Sequence, residues 1–400
     1  MLGAALAYRL ARLGARVTVV DAGEPGGGTS GSSFAWANAN DKTPLDYFRL
    51  NKAGMEAHRR LRDDLLAGGD DGGWLHEGGG LELAAGAGRE ALLRKAARLR
   101  EWGYRVEVLD PAGPAVRELE PHLRPEGATD GAADAPDGVP VRAPAGGMPG
   151  EASGGASEGL CAAFCPDEAW VDAPRCVRAV LGAAAREGVS VITRAPVAGL
   201  SRRGDAVVGV ALAGGATLPA AQVALATGRW TDGLARLAGV DVPLAPTCGL
   251  LAVTSPIAEG VSRVVHVPGM NFRPDPSGGL VVQSGQTDAT VTAETVPEAS
   301  LPGCATLLRG LQRYLPAAAG ARIVAARVGV RPMPADGLTL AGAVDGRPGL
   351  ALAVTHSGVT LGPLLGELLA PELCGGVPAP LLEGFRPRRL VRLSRSLGPG

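Results

Sequence analysis

Three stretches of this 400-residue chain carry side chains and backbone in patterns that could bind a cofactor or a substrate. The most specific is RVGVRPMPADGLTLAG (327–342) followed by LALAVTHSGVTLGPLLGELLA (350–370). Here a strand is expected to end at His356, with a Ser-Gly turn after it and a helix starting near Leu361. Such a helix aims its first backbone N–H groups over the turn, where they suit an acceptor edge that carries developing negative charge. Arg331 lies two residues after Gly329 and directly before Pro332, which sets its backbone. A guanidinium held this way suits bidentate pairing with a carboxylate, although a structural salt bridge explains it as well. His356 alone reads first as a packed strand-end histidine and only second as an acid or base.

The second stretch is the amino terminus. LGAALAYRLARL (2–13) has apolar residues at helical spacing, and Gly14 is placed to end the helix. ARVTVVDAG follows as a β-branched run suited to a strand buried on both faces. Helix, glycine, strand and terminal acid make the second half of a dinucleotide-binding βαβ unit. In a full fingerprint, strand, G-x-G-x-x-G and helix bring a pyrophosphate onto backbone N–H groups. Only the third glycine has a counterpart, Gly3, whose task is close packing of helix on strand. The first strand and the two phosphate-touching glycines would lie upstream of Met1. Asp21 is placed to accept from both ribose hydroxyls, or simply to cap a turn at the strand end. The third stretch, GGGTSGSSFAW (26–36), can turn amides and the hydroxyls of Thr29, Ser30 and Ser32 toward phosphate, or be a plain flexible loop.

These residues need elements to hold them. Helices are expected over 43–67, 89–102, 172–187, 301–315 and 361–373. Strands are expected over 189–193, 207–212 and 222–227, the last running into Gly228. A strand-rich stretch covers about 247–296, and ordered structure resumes at Ala163 to Trp170. From 124 to 160 the chain is Gly/Ala/Pro/Asp-rich without apolar periodicity, which predicts a disordered surface insertion.

Composition narrows the classes. Lys+Arg 39 against Asp+Glu 40 leaves no field that would attract nucleic acid or anionic lipid. Gly 60 and Pro 32 are high for a globular chain, but the excess is local and fits an insertion. Six scattered cysteines form no disulfide framework, and Cys161 with Cys165 lacks a second pair to make a zinc site, so no metal is expected. The most apolar stretch, 349–370, is broken by His356 and Glu367 and reads as core, not as a membrane span. No signal-peptide pattern is visible, so a cytoplasmic protein is expected, at most peripheral to a membrane.

In order along the chain, LGAALAYRLARLGARVTVVDAG, TSGSSFAW, WVDAPRCVRAV, GVSVITRAPVAGL, QVALATGRW, GVRPMPADGLTLAG and THSGVTLGPLLGELLA resemble the D-amino acid oxidase / glycine oxidase superfamily of FAD-dependent oxidoreductases, over nearly the full length. The resemblance implies an α/β protein, α+β overall. A Rossmann-like FAD-binding domain lacking its first strand (1–60, 161–235, 326–400) would join a mixed-sheet substrate domain (61–123, 236–325). It implies that Asp21 binds the adenosine ribose, that Gly3 and Ala22 are also among the cofactor-binding residues, and that Thr29 and Ser30 lie near the pyrophosphate. Val197 would meet the adenine through its backbone, and Ala226 to Gly228 would pass under the cofactor. Gly329 and the turn Gly358, Val359, Thr360, Leu361 would hold the isoalloxazine. Arg331 sits where the family places its carboxylate-binding arginine, His356 would shape the flavin's surroundings, and WANAND (36–41) would line the same cavity. The implied activity is oxidation of a small amine or amino acid by hydride transfer to FAD, with oxygen or a quinone as final acceptor. A sarcosine-type oxidase would show the same motifs. The rival from another class is a non-catalytic remnant or partner subunit that does not retain FAD.

Overall fold

In the computed structural model, residues 1–125 and 159–393 are described. The predicted insertion at 124–160 therefore lies almost wholly outside the described residues. The chain divides into two compact units: Met1–Leu75, Val171–Thr247 and Val330–Gly400 form the first, His76–Trp170 and Cys248–Gly329 the second.

The first unit is built on parallel strand pairs flanked by helices. The helix Leu2–Arg12 buries Leu2, Ala4, Ala5, Leu6, Ala7, Tyr8 and Ala11, the stripe its apolar spacing predicts. It ends where Gly14 takes φ +82° and its N–H reaches the Ala11 carbonyl. The left-handed backbone is one that glycine adopts without penalty. The strand Thr18–Val20 follows and pairs in parallel with Ser190–Ile192. Between them in sequence runs the helix Ala173–Arg186, with Asp172 as its N-cap, accepting from the Arg175 amide at 3.1 Å. A second parallel pair joins Val223–Leu225 to Leu350–Val354, which pairs antiparallel with Leu340–Ala343. A three-stranded antiparallel sheet, Val197–Arg203, Ala206–Leu212 and Thr217–Pro219, also belongs to this unit.

Three helices of this unit are locked together. Leu2–Arg12 lies against Gly358–Leu373, and a Cβ on Gly366 would meet the Ala5 backbone at 2.8 Å. The long helix Leu45–Ala67 packs on the same partner, with Leu2, Leu6, Leu50, Leu361, Leu365 and Leu369 buried in common. Glu367 ties the three at their rim, accepting from Arg9 at 2.9 Å and from Arg60 at 2.7 Å. The Gly358–Leu373 helix begins three residues earlier than the apolar pattern suggests. Of its first residues Gly358 is half-buried and Val359 and Thr360 are buried, so they carry no amphipathic signature of their own.

The second unit holds one large mixed sheet. Its order is Ile323–Arg331, Thr247–Thr254, Leu280–Gln283, Met270–Pro274, Val264–Val267, Gly80–Ala84, Cys161–Cys165 and Glu107–Leu109. Val264–Val267 runs parallel to Gly80–Ala84 while its other neighbour is antiparallel. The helix Pro302–Tyr314 seals one face through Cys304, Leu307, Leu311 and Tyr314. Glu120, 1% exposed, accepts from the Ser262 amide and hydroxyl and from the Arg263 amide and guanidinium. A buried carboxylate needs such a full set of partners.

Two expectations shift here. The strands of the stretch 247–296 end at Gln283, and a short helix, Gly285–Asp288, takes over. The strand expected from Ala163 starts two residues earlier, at Cys161, and belongs to the second unit, between Gly80–Ala84 and Glu107–Leu109. The sequence boundaries at 60, 161, 235 and 326 thus move to 75, 171, 247 and 330. The boundary at 60 would have cut the continuous helix Leu45–Ala67.

Candidate functional site

Apart from Gly329, the last residue of the second unit, the residues singled out by sequence fall into two groups within the first unit. The first surrounds the start of the helix Gly358–Leu373. The strand Leu350–Val354 ends in Thr355, whose hydroxyl accepts from Thr339 at 2.8 Å and from the Ser357 amide at 3.1 Å. Ser357 occupies the N-cap position, yet its hydroxyl is engaged with Tyr47 at 2.9 Å and caps no amide. The opening N–H groups of this helix therefore have no side-chain cap. An uncapped helix start with buried residues around it is a ready acceptor-binding site.

The turn is held from several sides. Thr360 Oγ1 donates to the Trp36 carbonyl at 3.2 Å and accepts from the Asn38 amide at 3.4 Å. The WANAND segment is thereby tied to the helix start. Gly54 comes so close that a Cβ there would stand 2.6 Å from the Thr360 carbonyl oxygen. His58, 1% exposed, reaches the Val359 carbonyl at 2.8 Å.

His356 follows this strand directly. Its pKa is pushed down to about 3, first by desolvation and then by the positive charges of Lys42 and Arg331. Its ring still reaches solvent, which moderates the desolvation. The imidazole is therefore neutral at physiological pH, and it reports two cations in its surroundings. Arg331 is partly buried at the end of its strand, just after Val330, whose carbonyl accepts from Thr29 Oγ1 at 3.0 Å. That bond ties the Gly-rich loop to the arginine's backbone. Gly329 stands two residues earlier in the same strand.

The second group lies near the first strand. Asp21 is exposed, and one carboxylate oxygen accepts from the Gly23 amide at 2.8 Å. The turn-capping role is thus realised, and the carboxylate remains open to solvent beside exposed Ala22. Gly3 packs on the segment after the Val223–Leu225 strand: a Cβ there would lie 3.5 Å from that of Ala226, ordinary contact. Gly228 takes φ +56° as it opens a short 3-10 turn. Val197 begins its strand opposite Leu212. Ser30 Oγ accepts from the Met1 amino group at 3.4 Å. Thr29 and Arg331 are brought together, as are His356, Arg331 and the 358–361 helix start.

Two residues escaped sequence reasoning. Lys42 stands one position beyond WANAND, in a segment flagged for the cavity, but a lone lysine before Thr-Pro carries no pattern. His58 lies inside an ordinary amphipathic helix, and its partner is 301 residues away. No helix among the described residues is long and apolar enough to cross a membrane.

The family model described as FAD dependent oxidoreductase matches residues 1–371. A glycine oxidase of Bacillus licheniformis is 26% identical over 407 residues, which is 99% of this chain and 96% of that protein. Among solved structures, glycine oxidase from Geobacillus kaustophilus superposes with a TM-score of 0.78 at 22% identity, covering 99% of this chain and 96% of the other. Iminodiacetate oxidase from Chelativorans sp. BNC1 gives 0.75 at 22% identity, with 96% of each chain covered. These two structures speak for the fold.

Proposed function

The chain belongs to the FAD-dependent oxidoreductase family, and from that premise we propose that it deaminates a small amino acid or N-substituted amino acid by oxidation at the carbon bearing nitrogen. The observation that carries this reading is the uncapped start of the Gly358–Leu373 helix together with Arg331, on a strand that the Thr29–Val330 bond ties to the Gly-rich loop; Arg331 and Lys42 both help to hold the His356 pKa down. A carboxylate substrate is what two cations at such a place would recognise.

The residues fit FAD at the flavin end. The opening N–H groups of the helix lack a side-chain cap, and the Ser357 hydroxyl is turned away to Tyr47. Those donors suit the acceptor atoms of a pyrimidine edge. Asp21, exposed at a strand end, suits an adenosine ribose, and the loop 26–31 offers amides for phosphate. When bound, FAD supplies the two-electron acceptor for the substrate's C–H bond.

This chain's own residues would then orient and exclude. Arg331 grips the carboxylate through its planar fork, turning the substrate's C–H toward the helix start. Lys42 adds a second positive charge on the same side. His356, being neutral, adds no third charge against the substrate's nitrogen, which must shed its proton before oxidation. The imine product leaves to hydrolyse in water, so the protein needs no base for that step. Glycine, other small amino acids, N-methyl amino acids and iminodiacetate belong to the substrate panel. The final acceptor is oxygen or a quinone.

The test is steady-state kinetics on that panel with FAD-loaded protein. Arg331→Lys should raise KM for carboxylate substrates by roughly tenfold or more, since a bidentate charge-assisted pair is replaced by a point charge. It should leave KM for a simple amine unchanged. Equal effects on both, or none on either, would remove Arg331 from the carboxylate role. Running the panel under oxygen and under a quinone analogue separates the acceptors.

A further inference from the structure

Proline 363 leaves a gap in the helix that bears the candidate flavin contact. In an α-helix the carbonyl of residue i accepts the amide N–H of residue i+4. For Val359 that amide belongs to Pro363, which has none, and a proline ring also crowds the carbonyl four residues back. The Val359 carbonyl is buried with its residue, so an unmade bond there would carry the desolvation cost of a lone acceptor. His58 supplies the donor. Its Nε2 lies 2.8 Å from the Val359 oxygen. A carbonyl can only accept, so Nε2 carries the proton and the tautomer is set by its partner.

We infer that His58 is a positioning residue for the flavin: by standing in for the amide that Pro363 lacks, it holds the first turn of the Gly358–Leu373 helix where that turn meets the cofactor. The inference rests on the reading above that the isoalloxazine lies at Gly358–Leu361. Three further observations support it. His58 belongs to the helix Leu45–Ala67, which touches the same turn at two other places. Tyr47 holds Ser357, and Gly54 lets the Thr360 carbonyl approach within what would be 2.6 Å of a Cβ. All three residues are buried, so the helix is a fixed backing for the turn. Burial also pushes the His58 pKa down to about 4, which keeps the ring neutral and its single donor on Nε2 throughout the physiological range. The opposite ring nitrogen, Nδ1, is buried without a hydrogen-bond partner among the described residues. An unpaired buried nitrogen carries a desolvation cost, which the bond made by Nε2 helps to offset.

The substitution of donors tells positioning from mere packing. In His58→Gln the side-chain amide reaches the place of Nε2, whereas in His58→Asn it reaches only as far as Nδ1. Leu61→Ala removes a buried apolar side chain from the same helix and serves as the packing control. The first readout is hydrogen–deuterium exchange of the full-length apoprotein, followed on peptides covering 357–364. Expected is faster exchange there, on the order of tenfold, in His58→Asn, with His58→Gln close to wild type. Leu61→Ala should loosen its own helix without singling out the turn. The second readout is the FAD-loaded protein: the flavin's midpoint potential and its visible absorption bands, which packing loss elsewhere does not move. His58→Asn should shift both and weaken FAD binding by on the order of tenfold, with glutamine restoring them. If Asn and Gln variants exchange alike in the turn, the donor role is overturned. If the turn loosens in His58→Asn while potential and spectrum stay fixed, the turn does not meet the flavin, and the assignment of the isoalloxazine site falls with the inference. That outcome is separate from a failed substrate panel, which concerns Arg331.

Discussion

Adding one methyl group to Gly54 sets two known effects against each other. Alanine in place of glycine inside a helix gains about 1 kcal/mol of intrinsic stability, from backbone entropy and helix preference. The built Cβ, however, would stand 2.6 Å from the Thr360 oxygen and 3.0 Å from Leu361 Cδ2. Ordinary contact begins at 3.4 Å, so the carbonyl has to retreat by 0.8 Å, the difference between 3.4 and 2.6. It is not free to do so. The Thr360 hydroxyl is bonded to Trp36, and the Leu361 amide to the Ser357 carbonyl at 2.9 Å. Overpacking a fixed core site costs about 1–3 kcal/mol, and a 0.8 Å overlap with a backbone oxygen takes the upper part of that range, roughly 2–3; less the gain of about 1, Gly54→Ala should end roughly 1–2 kcal/mol less stable than wild type. The control is Gly182→Ala, in the exposed middle of the Ala173–Arg186 helix, where the nearest atom is the tip of Arg186 at 3.9 Å. It should gain up to about 1 kcal/mol. At roughly 2–4 °C per kcal/mol, thermal melts of the two variants should separate by about 4–12 °C with opposite signs from wild type. If Gly54→Ala melts with or above wild type, the turn is not braced from behind by the Leu45–Ala67 helix, and the close approach has no energetic meaning.

Other outcomes follow from the same geometry. The His58 pKa is lower in the folded chain than its ordinary 6.5, so the unfolded chain binds more protons between about pH 4 and 6.5, and stability should fall as pH drops through that window. In urea titrations between pH 6.5 and 5.0, wild type should lose about 1–2 kcal/mol more than His58→Gln; identical losses would refute the neutral buried histidine. Burial raises the thiol pKa of Cys165 and Cys176, while Cys374 is exposed, so brief alkylation followed by peptide mass analysis should mark Cys374 and spare the other two until the chain is unfolded.

Much of the first unit was legible because local pattern and tertiary role coincide. The helix Leu2–Arg12 is amphipathic with a glycine stop, and Thr18–Val20 is a β-branched run, so periodicity alone finds both. The start of the Gly358–Leu373 helix was misplaced for the opposite reason. Its first turn is buried on several sides and a proline follows five residues after Gly358, so no amphipathic phase marks it. Asp21 shows the limit of residue type: capping a turn and meeting a ribose demand the same exposed carboxylate at a strand end. Lys42 and His58 were invisible because their meaning lies in partners far along the chain. Neither the neighbourhood of Lys42, Arg331 and His356 nor the bond from His58 to Val359 leaves a local trace. The strand Cys161–Cys165 pairs with Gly80–Ala84 and Glu107–Leu109, which the sequence does not reveal because a short apolar run does not announce its neighbours.

The clasp between Leu2–Arg12 and Gly358–Leu373, with Gly366 set against Ala5, governs how the chain can fold as it is made. The first unit draws on three separate stretches of polypeptide, and its opening helix finds its main partner some 350 residues later, the separation of Gly366 from Ala5 being 361. On the ribosome that helix emerges long before its partner and must wait, its apolar stripe uncovered, until the stretch around Gly366 is out. The eight-stranded sheet of the second unit draws on residues up to 331 and can close earlier. Assembly is therefore expected to run from the inserted unit outward, with the first unit last to form. Long-range closure of this kind slows folding and leaves apolar surface open to chaperones in the interval.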